Sequence, residues 1–227
     1  MKILALEFSS ALRSVAVVEA KGKTVPLAVN EVVETGGIAG KPLGMIEEAL
    51  REAKLEREQI EMLAVGLGPG SYTGVRTAIA LAQGWQLARG VKLVGIGSAE
   101  CIVAEAQAEG IIGQVVVVID AQRGEFYLAG YELSPTGWRE IEPLHLASAA
   151  EVKERPKAGA QLLGPEVTVS FKEGRLVFPL AGILGRLAVG RNDFVAGENL
   201  EPIYLRQTTF VKAPPPITLR GGRPTTK

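Results

Sequence analysis

The densest run of positions with chemical potential is a glycine loop, Gly66-Leu67-Gly68-Pro69-Gly70-Ser71-Tyr72-Thr73-Gly74-Val75-Arg76. Glycine permits positive φ and close backbone approach. Ser71 or Thr73 can cap a following helix, and a glycine-rich turn from strand to helix is a place where phosphate or another anion docks. The loop is not a Walker A motif, because no Gly-Lys-Ser/Thr follows. Arg76 is a cation near a helix N-terminus, where it opposes the macrodipole. It therefore calls for an anion, either a carboxylate of its own lobe or a ligand. A second candidate group is Glu7, Ser9 and Ser10 together with Asp120. An acid ending a strand beside two hydroxyls suits a vestigial nucleotide cleft, although no lysine or glycine cradle accompanies Ser9 and Ser10. The plain alternative is a strand end with a polar turn.

The chain has one cysteine, Cys101, and one histidine, His145. A disulfide within the chain is impossible, and neither residue has a triad partner near it in sequence. Cys101 lies in an apolar run and reads as a small buried hydrophobe; His145, between Leu144 and Leu146, reads as a packed or edge histidine. These counts remove most hydrolase mechanisms, and no metal site or cofactor is expected. Lys+Arg and Asp+Glu are equal at 25 each, which argues against a general nucleic-acid coat or a polybasic membrane patch. The longest apolar runs fall short of a membrane span. Glu7 interrupts the N-terminus where a signal peptide would stay apolar, so a cytoplasmic location is expected.

The elements that must position these residues follow from periodicity. Ile3 to Phe8, Ser14 to Val18 and Val25 to Val33 read as three strands, followed by a loop from Thr35 to Lys41. Pro42 suits the first position of a helix whose apolar stripe is Leu43, Ile46, Leu50 and Ala53. A strand at Met62 to Val65 leads into the glycine loop and a helix to about Arg89. A strand at Lys92 to Ile96 and a helix capped by Ser98 complete the first half. The second half repeats the order. It has strands at Val115–Ile119, Glu125–Leu133 and Trp138–Leu146, a short helix capped by Ser148, and a strand at Gln161–Leu163. A possible strand at Leu176–Phe178 and a helix at Leu180–Val189 follow. Two βββαβα halves describe an α/β, two-lobed actin/Hsp70/sugar-kinase-like (ribonuclease-H-like) fold. Residues 1–109 would form an N-terminal lobe and residues 110–206 a smaller C-terminal lobe. Residues 207–227, rich in proline and glycine, would form an extended or disordered tail.

From Thr77 to Ala88 the second helix carries no charge. A surface helix normally has a charged side, so this one is either buried all round or faces another subunit. The expected sheet-packing face is Gly74, Ala78, Leu81, Ala82, Trp85 and Ala88. Val75, Ile79, Gln83 and Gln86 would then face a partner, joined by Met45 and Ala49 of the preceding helix and by Arg76.

Gly68-Pro69-Gly70-Ser71-Tyr72-Thr73-Gly74-Val75-Arg76 with Ala82-Gln83-Gly84 resembles the hallmark of the TsaB (YeaZ) proteins. Supporting matches are Ile3 to Glu7, Asp120 to Tyr127, and Pro202-Ile203-Tyr204-Leu205-Arg206. The resemblance implies a non-catalytic dimerisation subunit for N6-threonylcarbamoylation of adenosine 37 (t6A) in tRNAs reading ANN codons. Its partners would be a catalytic TsaD subunit, which carries the metal site, and a TsaE-type ATPase. The two N-terminal-lobe helices would bundle with TsaD, or with a second copy when TsaD is absent, and tRNA would be met through the complex. Two departures stand out: Glu7 where the family commonly has Asp, and a loop at 36–41 without the His-Ser/Thr of many relatives. Both weaken residual nucleotide chemistry. The rival class is a stand-alone ATPase or small-molecule kinase of the same fold.

Overall fold

The computed structural model describes residues 1–21, 26–35 and 41–205. The loop at 36–40, Arg206 and the tail at 207–227 lie outside the described residues. The first half contains β1 (Lys2–Glu7), β2 (Leu12–Ala20), β3 (Pro26–Thr35), α1 (Pro42–Ala53), β4 (Met62–Gly66), α2 (Tyr72–Arg89), β5 (Lys92–Ile96) and α3 (Ser98–Ala108). The second contains β6 (Gly113–Asp120), β7 (Glu125–Ser134), β8 (Gly137–Ser148), α4 (Ala149–Glu154), β9 (Gln161–Gly164), α5 (Val167–Ser170), β10 (Arg175–Leu176) and α6 (Ala181–Ala188).

The first sheet has the order β3-β2-β1-β4-β5 and the second β8-β7-β6-β9-β10. In each, the first two pairings along the chain are antiparallel, and the first strand then runs parallel to the fourth. The fourth and fifth strands are also parallel. The duplication expected from element order is thus a duplication of topology.

The strands of the first sheet are apolar on both sides because both faces are covered. Leu4, Leu6, Val15, Val17, Leu63 and Val65 point to a core closed by α1 and α2. Their neighbours Ile3, Ala5, Ala16, Val18, Met62 and Ala64 point to a core closed by α6. The period of two along each strand therefore serves two cores at once.

Chain order and packing part company at two helices. α3 buries Ala99, Ile102, Val103 and Ala106 on the second sheet, while α6 returns to pack on the first. α6 approaches closely because Gly185 has no side chain: a Cβ there would lie 2.5 Å from Val18 Cγ2. Its N-terminus is tied down by Ser14 Oγ, which accepts from Ala181 N at 2.7 Å, and by Glu31, which accepts from Gly182 N at 2.9 Å. A carboxylate at a helix N-terminus also complements the helix dipole. Cys101 is buried beside α6 with its Sγ 3.3 Å from Leu180 O, and burial pushes its thiol well up. It is a packing residue.

His145 lies on β8 in an ionic cluster. Nδ1 meets Pro143 O at 2.9 Å, while Nε2 faces Glu151 at 3.2 Å and Glu142 at 3.8 Å. The Pro143 carbonyl, helped by the two carboxylates, holds the imidazole above its usual range. The carboxylates could together hold a cation, and Arg155 fills that role, bonding Glu142 at 2.7 and 2.9 Å and Glu151 at 3.0 Å. Ser148 caps α4 as its position predicts, accepting from Glu151 N at 3.2 Å.

Candidate functional site

The glycine loop leaves β4 and enters α2 through a cis Gly68-Pro69 peptide bond. Two of its glycines are required by contact with the chain's own backbone. A Cβ on Gly70, whose φ is +149°, would overlap Ser9 O, and one on Gly74 would overlap Phe8 O. Two of the N–H groups at this turn are already used. Ser71 N donates to Ser9 O at 2.7 Å, and Gly74 N donates to the capping Ser71 Oγ at 3.3 Å. Gly68 O in turn accepts from Ser98 N at 2.7 Å. The loop is a weld between β1, β4 and the start of α3, and its contacts are internal.

Glu7 is withdrawn from the cleft. It is 0 % exposed, accepts from Ser9 N at 2.7 Å and from Ser98 Oγ at 3.1 Å, and sits where a side chain on Gly66 would overlap its carboxylate. This corrects the expectation that Glu7 shares a cleft with Ser9, Ser10 and Asp120. It also corrects the role of Ser98, which occupies the first turn of α3 and binds Glu7, while the N-cap position belongs to Gly97. Burial holds the Glu7 carboxyl above its usual range, against the two donors. A carboxyl with a raised native pKa favours folding below its ordinary value of 4.5 and loses that contribution as pH rises through the native one. Glu7→Gln keeps the shape and an acceptor for Ser9 N, and Ser98 Oγ can accept from the amide. The variant is expected to melt higher than wild type at neutral pH, with the difference closing toward pH 4.5 in pH-resolved thermal melts.

Ser9, Ser10 and Asp120 do share a cleft of about 700 Å³ between the lobes. Ser9 and Ser10 are nearly buried, and Ser10 Oγ donates to Leu12 O at 2.9 Å. Asp120 accepts from Gln122 N at 2.7 Å and Gln122 Nε2 at 2.9 Å. Glu166 stands nearby, held above the usual carboxylate range by burial and then by the Asp120 charge. Arg13, Tyr72 and Tyr204 complete the walls that matter chemically. Sequence reasoning did not single out these last four residues. Tyr72 and Tyr204 did lie within the two motifs that resemble a known family, and that was the available signal.

Arg76 is exposed, and its partners are aromatic. Its guanidinium carbon lies 4.2 Å from the Tyr72 ring centroid and 5.7 Å from that of Tyr204, and Nε meets Tyr204 Oη at 3.4 Å.

The faces of α2 differ from the expected assignment. Val75 and Ile79 are buried in the first lobe's own core together with Gly74, Ala78 and Ala82, and Met45 and Ala49 of α1 are buried with them. Gln83 and Gln86 hold a later segment of the same chain. Gln83 Nε2 donates to Gly197 O at 2.8 Å, and Gln86 Oε1 accepts from Gly197 N at 2.6 Å. Of the seven residues expected to meet a partner, only Arg76 faces solvent. The outward side is instead Thr73, Arg76, Ala80, Gly84, Leu87 and Ala88, with Leu87 91 % exposed. Beside it, Leu43 of α1 is 61 % exposed, and a groove of about 390 Å³ runs between the helices past Leu43, Ala80, Gly84 and Trp85.

Comparison with known proteins gives a consistent picture. A family model described as TsaD, tRNA N6-adenosine threonylcarbamoyltransferase, matches residues 27–192. The tRNA threonylcarbamoyladenosine biosynthesis protein TsaB of Haemophilus influenzae is 34 % identical, over 94 % of this chain and 98 % of its own length. The protein of the same name from Escherichia coli is 30 % identical, over 76 % of this chain and 82 % of its own. The structure of YeaZ from Pseudomonas aeruginosa superposes with a TM-score of 0.73 and 25 % identity, covering 90 % of this chain and 99 % of that one. With the topology, the glycine loop and near-complete coverage of relatives in agreement, the chain belongs to the TsaB (YeaZ) family.

Proposed function

We propose that this protein is a non-catalytic subunit for threonylcarbamoyladenosine formation in tRNA, and that it acts by binding a TsaD-type catalytic subunit. The observation that carries the proposal is the outward side of α1 and α2. Leu43, Ala80, Gly84, Leu87 and Ala88 form an uncharged surface of small and aliphatic residues on a folded lobe. Small side chains let a second helix approach closely, and a contiguous exposed apolar face marks an interaction site. Arg57 and Glu58 stand at its rim, where paired charges steer association more than they hold it. The same surface would serve a second copy of the chain when the catalytic partner is absent, and a TsaE-type ATPase would join the assembled pair.

The rival reading, an ATPase or kinase of the same fold, needs a metal-holding acid in the cleft. Glu7 is buried away from it; of the acids that line it, Asp120 is bonded to Gln122, and burial holds Glu166 above the usual carboxylate range. Sedimentation of the purified chain with and without a TsaD-type subunit tests the proposal. A heterodimer is expected, with t6A formed in reconstituted reactions only when both are present. ATP turnover by this chain alone, without association, would support the rival.

A further inference from the structure

The mouth of the interlobe cleft has features that neither the assembly surface nor the fold requires. Tyr72 and Tyr204, 132 positions apart in the chain, stack with ring centroids 5.6 Å apart and planes at 19°. Both line the cleft, and both remain open to solvent, at 59 % and 36 % exposure. Arg76 lies over the Tyr72 ring at the N-terminal end of α2. Among the described residues no carboxylate comes within 4.0 Å of its guanidinium. An exposed cation is thus held in place by aromatic rings, with no ion pair among the described residues. The carboxylates of Asp120, which is exposed, and of half-buried Glu166 line the same cleft. Arg13 also lines it, and its Nε is shielded from water with no acceptor among the described residues.

A cation held on an aromatic pair, beside a cleft with carboxylates in its lining, suits a ligand that joins a phosphate to a planar ring. Phosphate belongs at Arg76, a planar ring belongs against the tyrosines, and donors such as ribose hydroxyls or an exocyclic amine belong at the acids. Stacking of unpaired bases on aromatic rings, with arginine at the backbone, is how single strands are held.

We infer that the Tyr72–Arg76–Tyr204 platform at the cleft takes one unpaired nucleotide of single-stranded RNA, with its base on the tyrosine rings and its phosphate on Arg76. The inference deepens the reading of this protein as a tRNA-modification subunit and rests on that reading; of its residues Arg76 lies on the outward side of α2, one turn before Ala80, while the tyrosines line the cleft. The test is fluorescence anisotropy of a labelled single-stranded RNA oligomer with the full chain, at low and moderate salt. Tyr72→Ala and Tyr204→Ala should each weaken binding about five- to a hundredfold, while Tyr72→Phe and Tyr204→Phe preserve it. Arg76→Ala should weaken binding and reduce the slope of log affinity against log salt by about one.

Thermal melts verify that the variants fold, and sedimentation with the TsaD-type subunit is run on the same proteins. Lost RNA binding with normal heterodimer formation supports the inference. RNA binding unchanged by the alanine variants overturns it. So does competition in which ATP displaces the oligomer while AMP at equal concentration does not, because the site would then read a polyphosphate rather than a base with one phosphate. Loss of the heterodimer with RNA binding intact would show a protein contact at the platform and also overturn it. Failure of wild type to form any heterodimer counts against the assembly proposal, and leaves the RNA measurement to decide the inference.

Discussion

Gly74→Ala is expected to destabilise the first lobe by about 3 kcal/mol, at the upper end of what overpacking costs, whereas Gly84→Ala in the same helix is expected to stabilise it by about 0.5–1 kcal/mol. The chemical change is identical, and the surroundings decide the sign. At Gly74 the new Cβ would overlap the carbonyl oxygen of Phe8. A backbone atom at the end of a fully buried strand cannot swing aside as a side-chain tip could, so either β1 or α2 must move. Movement of α2 would strain the Ser71 N to Ser9 O bond and open the core around Val75 and Ala78. At Gly84 a Cβ meets nothing within 4 Å, and the backbone stays helical. The only change there is the lower conformational entropy that alanine loses on folding. Denaturant midpoints with the slope held constant measure both. Equal midpoints for the two variants would show that the loop is not the weld described above.

The sequence made most elements legible because their signals are local. Apolar runs marked β1 and β2, Pro42 opened α1, and Ser148 capped α4, all within a few residues of where the structure has them. The facing of α2 was not legible, for a physical reason. Orienting a helix from sequence relies on contrast between a charged and an apolar side, and Thr77 to Ala88 has no charge to supply it. Val75 and Ile79 look as suited to an interface as to a core, and only the loop's docking on Ser9 and Phe8 fixes the rotation that buries them. Glu7 was misplaced for a related reason. The residue that draws it inward, Ser98, is 91 positions away, and the space it occupies exists because residue 66 is glycine. The exchange of α3 and α6 between sheets was likewise hidden. An apolar stripe says that a helix is buried, and says nothing of which sheet buries it. Tyr72 and Tyr204 could not be paired from sequence at all, since neither carries a mark of the other.

The corrected facing turns the interface proposal into a sharp comparison. Gly84→Glu places a carboxylate on the outward surface, beside Ala80 and the groove, at a position where an added Cβ meets nothing within 4 Å. The lobe should fold normally or slightly more stably, because glutamate is the better helix former. Association would bury that charge against an apolar partner helix, at a cost of several kcal/mol. Heterodimer affinity should therefore fall by more than about a hundredfold, and any self-association should be lost with it. Ile79→Glu, by contrast, puts the charge at a position only 6 % exposed within the lobe's own core. That variant should lose its cooperative melt before any partner is added. Sedimentation of each variant with the TsaD-type subunit, paired with circular dichroism, separates the outcomes. A well-folded Gly84→Glu chain that still forms the heterodimer would move the interface off α1 and α2. A well-folded Ile79→Glu chain would mean that α2 is rotated from the position that the glycine loop imposes.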